Sequence, residues 1–118
     1  MKFTYRTYRK QKDIKRIEKL ALKNKLYVDR RIYLAKPMFE GTEKVFRPRI
    51  IIAVYYKNTM IGWGLLVDEE VFNYNRYIKS DWMWRYVKSK FRRNGIGSVL
   101  RTKLKKLNKG YVYEEKYG

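Results

Sequence analysis

The chain has 118 residues and contains neither cysteine nor histidine, and its 30 lysines and arginines against 11 acidic residues give a formal charge of +19 at pH 7. This composition excludes disulfides, a thiolate nucleophile, an imidazole base and a zinc site built from cysteine or histidine. With 45% hydrophobic residues, it predicts a single folded domain over residues 1–118 and favours an anionic partner or cofactor.

Neither a membrane span nor a secretory signal is predicted. No apolar run approaches the roughly 18 residues of a membrane span, and the first residues, MKFTYRTYRKQK, lack the apolar stretch of a signal peptide. The acidic residues are scattered, so no metal site is predicted. We therefore expect a soluble protein of the cytoplasm.

The sequence of the N-terminal third of the chain predicts one strand and two helices. Residues 3–8, FTYRTY, alternate as a strand does, and KDIKRIEKLALKNKL has helical spacing with Asp13 as a start signal. The segment YVDRRIYLAKPMFEGTE predicts a weaker helix that ends before Pro37, followed by a polar loop through Gly41. The apolar stripe of the first helix consists of Ile14, Ile17, Leu20 and Ala21.

Three strands of a meander follow. From Arg49, RIIIAVYY is continuously apolar and predicts a strand buried on both faces. KNT makes a tight reversal, and MIGWGLLV returns as the antiparallel partner, in which Gly62 and Gly64 indicate a bulge or a close backbone approach. DEEVFNYNRYIKS is predicted to be a loop or a frayed hairpin, and DWMWRYVK the third strand, with alternate residues on opposite faces.

The segment RRNGIGS joins this strand to a predicted amphipathic helix that ends near Leu107, before a short last strand in KGYVYEE. The first turn of a helix has unpaired N–H groups and a positive dipole end, so it binds anions. Gly95 and Gly97 let the backbone approach a pyrophosphate, while two arginines add charge and Ser98 adds a hydroxyl donor. The pattern is neither the three-glycine dinucleotide fingerprint nor a P-loop.

The segment resembles the acyl-CoA motif of the GCN5-related N-acetyltransferases (GNAT superfamily). In that motif, glutamine or arginine is followed after two residues by glycine, and one residue later by glycine or alanine; Arg92, Gly95 and Gly97 fill these places. VKSKF is similar to the family's strand end, with Ser89 where proline is usual. The resemblance implies an α/β fold with a mixed central sheet in the order β-α-α-β-β-β-α-β, helices on both faces, and without the family's usual C-terminal helix and strands.

The resemblance also implies a cofactor, acetyl-CoA, acting as co-substrate. The backbone of the motif strand would pair with the pantetheine arm where that strand splays from its parallel neighbour, and the pyrophosphate would lie on the amides that follow. The implied cofactor-binding residues are Tyr86, Val87, Lys88, Arg92, Arg93, Asn94, Gly95, Ile96, Gly97 and Ser98.

Catalytic groups are implied by matching positions. Asp81 lies six residues before Val87, where the histone-acetylating branch has its glutamate base, and would act through a water. Residues 68–70, Asp-Glu-Glu, are rival bases or a patch that recognises a cationic amine, and the Val87 N–H would polarise the thioester carbonyl. Tyr113 is the candidate general acid, and Tyr111 and Tyr117 remain alternatives.

The resulting hypothesis is an acetyl-CoA-dependent N-acetyltransferase that acts on an amine of a protein, a nucleic acid or a small molecule. The alternatives are a non-catalytic module of the same fold that binds nucleic acid or a host protein, and a CoA-dependent enzyme that modifies DNA or RNA bases. Basic and tyrosine-rich surfaces suit DNA or RNA contact, although solvated helix faces explain them equally well. An open last strand predicts a homodimer, and the short basic chain suits a phage protein acting in the host cytoplasm.

Overall fold

The computed structural model describes residues 2–26, 36–39, 42–74 and 76–117. Within these ranges the strands form one mixed sheet in the spatial order β1-β3-β4-β5-β6, with β2 paired to the outer part of β3. The β5–β6 pair is parallel and the other pairs are antiparallel. The elements are β1 (Thr4–Tyr8), α1 (Gln11–Lys23), β2 (Lys36–Phe39), β3 (Thr42–Tyr56), β4 (Thr59–Asn73), β5 (Arg76–Val87), a 3-10 turn (Ser89–Phe91), α2 (Ile96–Leu107) and β6 (Tyr113–Tyr117).

In the part of the chain that the structure describes, one helix packs on each face of the sheet, which confirms the predicted α/β class and the burial of β3 on both faces. On the α1 face, the core consists of Ile14, Ile17, Ala21, Leu26, Ile51, Ala53, Met60, Trp63, Leu65, Val67 and Trp84. On the α2 face, it consists of Ile50, Ile52, Val54, Ile61, Leu66, Met83, Val87, Ile96, Leu100 and Leu104. The predicted alternation in β5 is therefore correct, with its tryptophans on the α1 face.

The sheet extends further than the sequence predicted. The polar segment expected as a loop or frayed hairpin is regular, because β4 and β5 stay in register from Asp68↔Asp81 to Asn73↔Arg76. Its acidic residues have partners on β3, such as Arg47 for Glu70 at 3.2 Å, so the charges do not end the strands. The polar loop expected from Pro37 through residue 41 is also wrong at 37–39, which belong to β2. Of the second helix predicted before Pro37, the structure describes only Lys36, which lies in β2; the rest lies outside the described residues.

Two local features bring the strands and α2 close together. Lys57 and Asn58 have positive φ angles of 48° and 64°, the geometry of a two-residue hairpin turn that matches strand twist. A Cβ on Gly64 would lie 2.8 Å from Leu104 Cδ1, which confirms the predicted close approach and shows that it seats α2 on β4. No helix among the described residues is long and apolar enough to cross a membrane.

Candidate functional site: the junction of β5 and α2

The RRNGIGS segment lies, as predicted, between the end of β5 and the start of α2. Gly95 is the N-cap of α2, in the left-handed region at φ 76° and ψ 7°, and its carbonyl accepts the Val99 N–H at 3.0 Å. No side chain caps this end and no acidic residue lies in the first turn. The amides of the first turn therefore have no intrahelical acceptor and present a positive end to solvent.

Gly97 leaves this end of the helix open. It lies in the first turn of α2, and a Cβ built on it would meet only Arg85 Nη1, at 4.0 Å. The fold itself therefore tolerates a side chain here, and that side chain would occupy the space next to the unpaired amides. Arg93 and Ser98 beside it are exposed, so a cation and a hydroxyl group reach the same opening.

The other two polar side chains of the segment are directed back onto the protein. Arg92 Nε donates to the Val87 carbonyl at 2.8 Å, and its guanidinium lies 5.8 Å from the centre of the Tyr86 ring. Asn94 Nδ2 donates to the Phe91 carbonyl at 2.9 Å. These contacts shape the turn, so the anion-binding capacity rests mainly on the backbone amides.

The predicted backbone contacts of β5 need a correction at Lys88. Its N–H donates to the Ile61 carbonyl of β4 at 2.9 Å, so this donor is not free for a pantetheine arm, and its carbonyl already accepts the Phe91 N–H at 2.8 Å. The Lys88 ammonium stays available. Successive residues of a strand direct their backbone groups to opposite edges, so Val87 faces the β6 edge. There β6 runs beside β5 up to the Tyr86↔Tyr117 pair, so any splay between the strands begins beyond Tyr86.

Arg85 is a member of this site that the sequence did not single out. It is buried on the α2 face of β5, and its Nη1 donates to the Gly97 carbonyl at 2.9 Å. Its Nη2 lies 3.6 Å from Glu114 Oε1, while Nε and Nη2 have no hydrogen-bond partner among the described residues. Burial lowers the pKa of Arg85. The side chain places a cation directly beneath the first turn of α2.

Asp81 lies in the middle of β5, opposite Asp68 of β4. Its Oδ1 is buried without a hydrogen-bond partner, 3.9 Å from Arg49 Nη2. Desolvation, followed by hydrogen bonding with Asp68 and the Asp68 charge, raises the pKa of Asp81, in the direction expected of a base. Six residues of extended strand separate Asp81 from Val87, about 20 Å at the usual rise.

Two of the rival acids, Asp68 and Glu70, already have cationic partners. Arg49 Nε lies 3.0 Å from Asp68 Oδ1, and Lys79 Nζ lies 3.6 Å from Asp68 Oδ2. Within the described part of the chain, no three acidic side chains converge as a metal site would require. These charges therefore hold β3, β4 and β5 together at the level of Asp81.

Tyr113 lies on β6 and stacks on Trp82, with ring centroids 5.1 Å apart. Trp82 packs against the core on the α1 face, whereas Asp81, its neighbour on β5, points to the α2 face. The predicted base and the predicted acid are therefore on opposite faces of the sheet, and the structure does not bring them together.

A second polar feature, which the sequence did not predict as a site, lies between α1 and β3. Glu18 is buried, with 5% of its surface exposed, and its Oε1 has no hydrogen-bond partner among the described residues. Burial raises its pKa to about 8. A sequence signal existed, because Glu18 is four residues after Ile14 and three before Ala21, within the apolar stripe. It borders a groove of about 780 Å³.

Comparisons with known proteins bear on the fold. Neither the protein-family models nor the curated proteins give a match. Among solved structures, the chain is similar to the crystal structure of an aminoglycoside acetyltransferase from an uncultured soil metagenomic sample, with a TM-score of 0.50 and 19% identity over 99% of this chain and 80% of that chain. At this identity the likeness concerns the fold alone: the chain has an acetyltransferase-like α/β fold.

Proposed function

We propose that the protein is an acetyl-CoA-dependent N-acetyltransferase of the GNAT type. The observation that carries the proposal is the start of α2, where unpaired amides, the open side of Gly97 and a buried Arg85 cation meet. This combination fits a diphosphate, because the backbone can approach it closely and the charges are complementary. The acetyltransferase-like fold supports acetyl-CoA over other diphosphate ligands.

Each residue of the junction would have a separate role in binding acetyl-CoA. Amides from Gly95 to Ser98 hold the pyrophosphate, and the exposed Arg93 and the Lys88 ammonium add charge. Acetyl-CoA, when bound, supplies an acetyl group activated as a thioester. Val87 lies at the end of β5, where any splay from β6 would begin and the thioester arm would enter; the use of its N–H to polarise the carbonyl stays a prediction. Arg92 fixes that edge by its hydrogen bond to the Val87 carbonyl.

The acceptor in this proposal is an amine on a molecule that is not strongly cationic. The similar solved structure is an aminoglycoside acetyltransferase, and aminoglycosides are polycations. A chain with a formal charge of +19 repels such a substrate before it reaches the site. Asp81 as base and Tyr113 as acid stay predictions, as do a homodimer and contact with nucleic acid.

Substitution of Gly97 by leucine tests the cofactor site. We expect Gly97→Leu to weaken acetyl-CoA binding by about 100-fold or more, because it keeps the pyrophosphate from at least two amides, and a hydrogen bond to a charged group contributes roughly 1.5–3 kcal/mol. Isothermal titration with acetyl-CoA measures the loss. Thermal unfolding should show little destabilisation, since a Cβ at this position meets only Arg85 Nη1, at 4.0 Å.

Thr102→Leu is the matched control, because it adds the same side chain at an exposed position further along α2 and should bind acetyl-CoA as the wild type does. Equal affinity in the wild type and Gly97→Leu would remove the cofactor from this junction. Absence of acetyl-CoA binding by the wild type, together with salt-dependent binding of single-stranded DNA, would favour the non-catalytic nucleic-acid-binding alternative.

A further inference from the structure

The groove beside α1 has one apolar wall and one polar wall. Leu22 of α1 and Val45, Phe46 and Pro48 of β3 form the apolar wall. Although apolar, Leu22 is 47% exposed, so the groove offers a surface that a ligand can cover. Gln11 Nε2 donates to the Pro48 carbonyl at 2.7 Å and ties α1 to β3 at one end. The groove is therefore a fixed feature between a helix and a strand.

Glu18 gives the polar wall a buried acceptor. Its Oε1 is inaccessible to solvent and has no partner among the described residues, in a position where most buried polar atoms are hydrogen-bonded. A carboxyl group in this state is stabilised by a donor from a ligand, above all a cationic one, because an opposite charge offsets the cost of burying the carboxylate. Glu18 thus selects a ligand with an amine.

The rim of the groove has the opposite charge. Lys15 and Lys19 are exposed on α1 and line the groove on either side of Glu18 in sequence. Arg47 also lines it but is paired with Glu70 at 3.2 Å. The rim therefore repels a polyamine and attracts carboxylates. The combination fits a single amine on a negatively charged carrier.

We propose that this groove binds a lysine side chain presented by an acidic segment of another protein. Glu18 lines the groove, and because its Oε1 has no solvent-accessible surface in the free protein, its carboxyl group turns toward the groove to receive the ammonium. The methylene stem packs on Leu22 and Phe46. Acidic residues on either side of the lysine pair with Lys15 and Lys19. Binding in this groove is independent of acetyl-CoA and of the proposed function, because the groove lies on the α1 face of the sheet and the start of α2 lies on the other face.

The same features disfavour a nucleic acid in the groove. The exocyclic amines of nucleobases are uncharged near neutral pH and cannot compensate a buried carboxylate as an ammonium does. The apolar wall consists mainly of aliphatic side chains. Among the described residues that line it, the one aromatic ring is that of Phe46, which packs against Trp84 with centroids 5.5 Å apart. Base stacking needs exposed rings, so the lysine stem is the better fit.

Fluorescence anisotropy with short labelled peptides tests the proposal without acetyl-CoA. The probe is a peptide with one lysine between pairs of glutamates, blocked at both termini. Two matched peptides carry acetyl-lysine in place of lysine, or glutamines in place of the glutamates. We expect each change to weaken binding by about tenfold or more, because each removes a charge-assisted contact. Spermine and single-stranded DNA should not compete at equivalent charge.

Substitutions of the groove residues test whether the peptide makes these contacts in the groove. Glu18→Gln should bind the lysine and acetyl-lysine peptides equally, and Lys15→Gln with Lys19→Gln should abolish the preference for flanking glutamates. Lys106→Gln removes the same charge from an exposed position on α2, across the sheet, and should bind as the wild type does. Equal binding of lysine and acetyl-lysine peptides by the wild type, or displacement by DNA, overturns the proposal. Peptide binding by a wild-type protein that does not bind acetyl-CoA would instead count against the proposed function alone.

Discussion

The junction at the start of α2 and the groove beside α1 both leave polar groups without protein partners, but in opposite ways. At the junction the unpaired groups are backbone N–H donors at an exposed helix end. In the groove the unpaired group is a carboxyl oxygen of a side chain that is 5% exposed. The first region is therefore suited to binding an anion and the second to binding a cation. The two regions lie on opposite faces of one sheet.

The two regions also differ in how their unpaired polar groups affect the stability of the fold. A helix end open to water costs little, because water satisfies the amides. A buried carboxyl group is costly in its ionised form, which is why the pKa of Glu18 rises to about 8. Changes at the junction should thus alter ligand binding more than folding, and changes at Glu18 should alter folding strongly and in a pH-dependent manner.

The largest expected effect is the pH dependence of stability and its loss in Glu18→Gln. Because the folded pKa of Glu18 is about 8 and its usual value is 4.5, the folded chain retains a proton that the unfolded chain releases between these values. The free energy of unfolding should then fall as pH rises, by about 1.4 kcal/mol per unit, to a total of at most about 5 kcal/mol by pH 8. Glu18→Gln lacks this slope and should be more stable than the wild type at pH 8.

Urea unfolding measured at intervals from pH 5 to pH 8 checks this directly. The chain has no histidine and no cysteine, so few other groups titrate in this window; Asp81, with its raised pKa, adds a slope of the same sign at the acid end. Asp13→Asn changes an acid on the same helix and should keep the wild-type slope. A wild-type curve that is flat or rises with pH would show that Glu18 is ionised in the folded chain.

Local patterns in the sequence predicted the junction well. The buried alternation of β5, the glycines of RRNGIGS and the apolar stripe of α2 are all contained within about 25 residues, and the structure confirms this local arrangement. The extent of β4 and β5 was predicted poorly, because Asp68 and Glu70 were interpreted as loop residues. Their partners Arg49 and Arg47 are about 20 residues earlier in the sequence, and only the fold brings them together.

The groove could not be predicted, since it is formed by residues of α1 and β3 that are about 30 residues apart in sequence. The acid on the apolar stripe of α1 was visible, but a buried glutamate has the same sequence pattern as an exposed one at the edge of the stripe. The contact of Arg85 could not be predicted either. Alternation placed Arg85 on the face of β5 opposite the tryptophans, but its hydrogen bond to the Gly97 carbonyl depends on how α2 packs on the sheet.

Arg85→Met tests whether the buried cation belongs to the junction. We expect acetyl-CoA affinity to fall about tenfold, because a charge beneath the first turn is lost, and the loss should shrink at high salt. Stability should change by less than about 1 kcal/mol, since a well-packed apolar side chain often replaces a buried ion without cost. Glu114 retains Arg101, whose Nε lies 2.6 Å from its Oε1.

For Arg85→Met, isothermal titration at two salt concentrations measures the acetyl-CoA affinity, and urea unfolding measures the stability. Arg101→Met is the control, because it removes a charge that pairs with the same glutamate but does not contact the Gly97 carbonyl. Loss of stability in Arg85→Met with unchanged acetyl-CoA affinity would make Arg85 a structural residue only.

The smallest expected effect is a difference in stability between variants of the two glycines of the junction. Gly95→Ala should destabilise the fold by about 1 kcal/mol, because its φ of 76° is costly for any residue with a Cβ; a Cβ there meets nothing within 4 Å, so the cost is in the backbone alone. Gly97→Ala should stabilise α2 by up to about 1 kcal/mol, since alanine is the better helix former, while weakening acetyl-CoA binding. Opposite signs in urea unfolding would show that Gly95 is kept for its conformation and Gly97 for its ligand; equal destabilisation by both would mean that Gly97 too is kept for the fold.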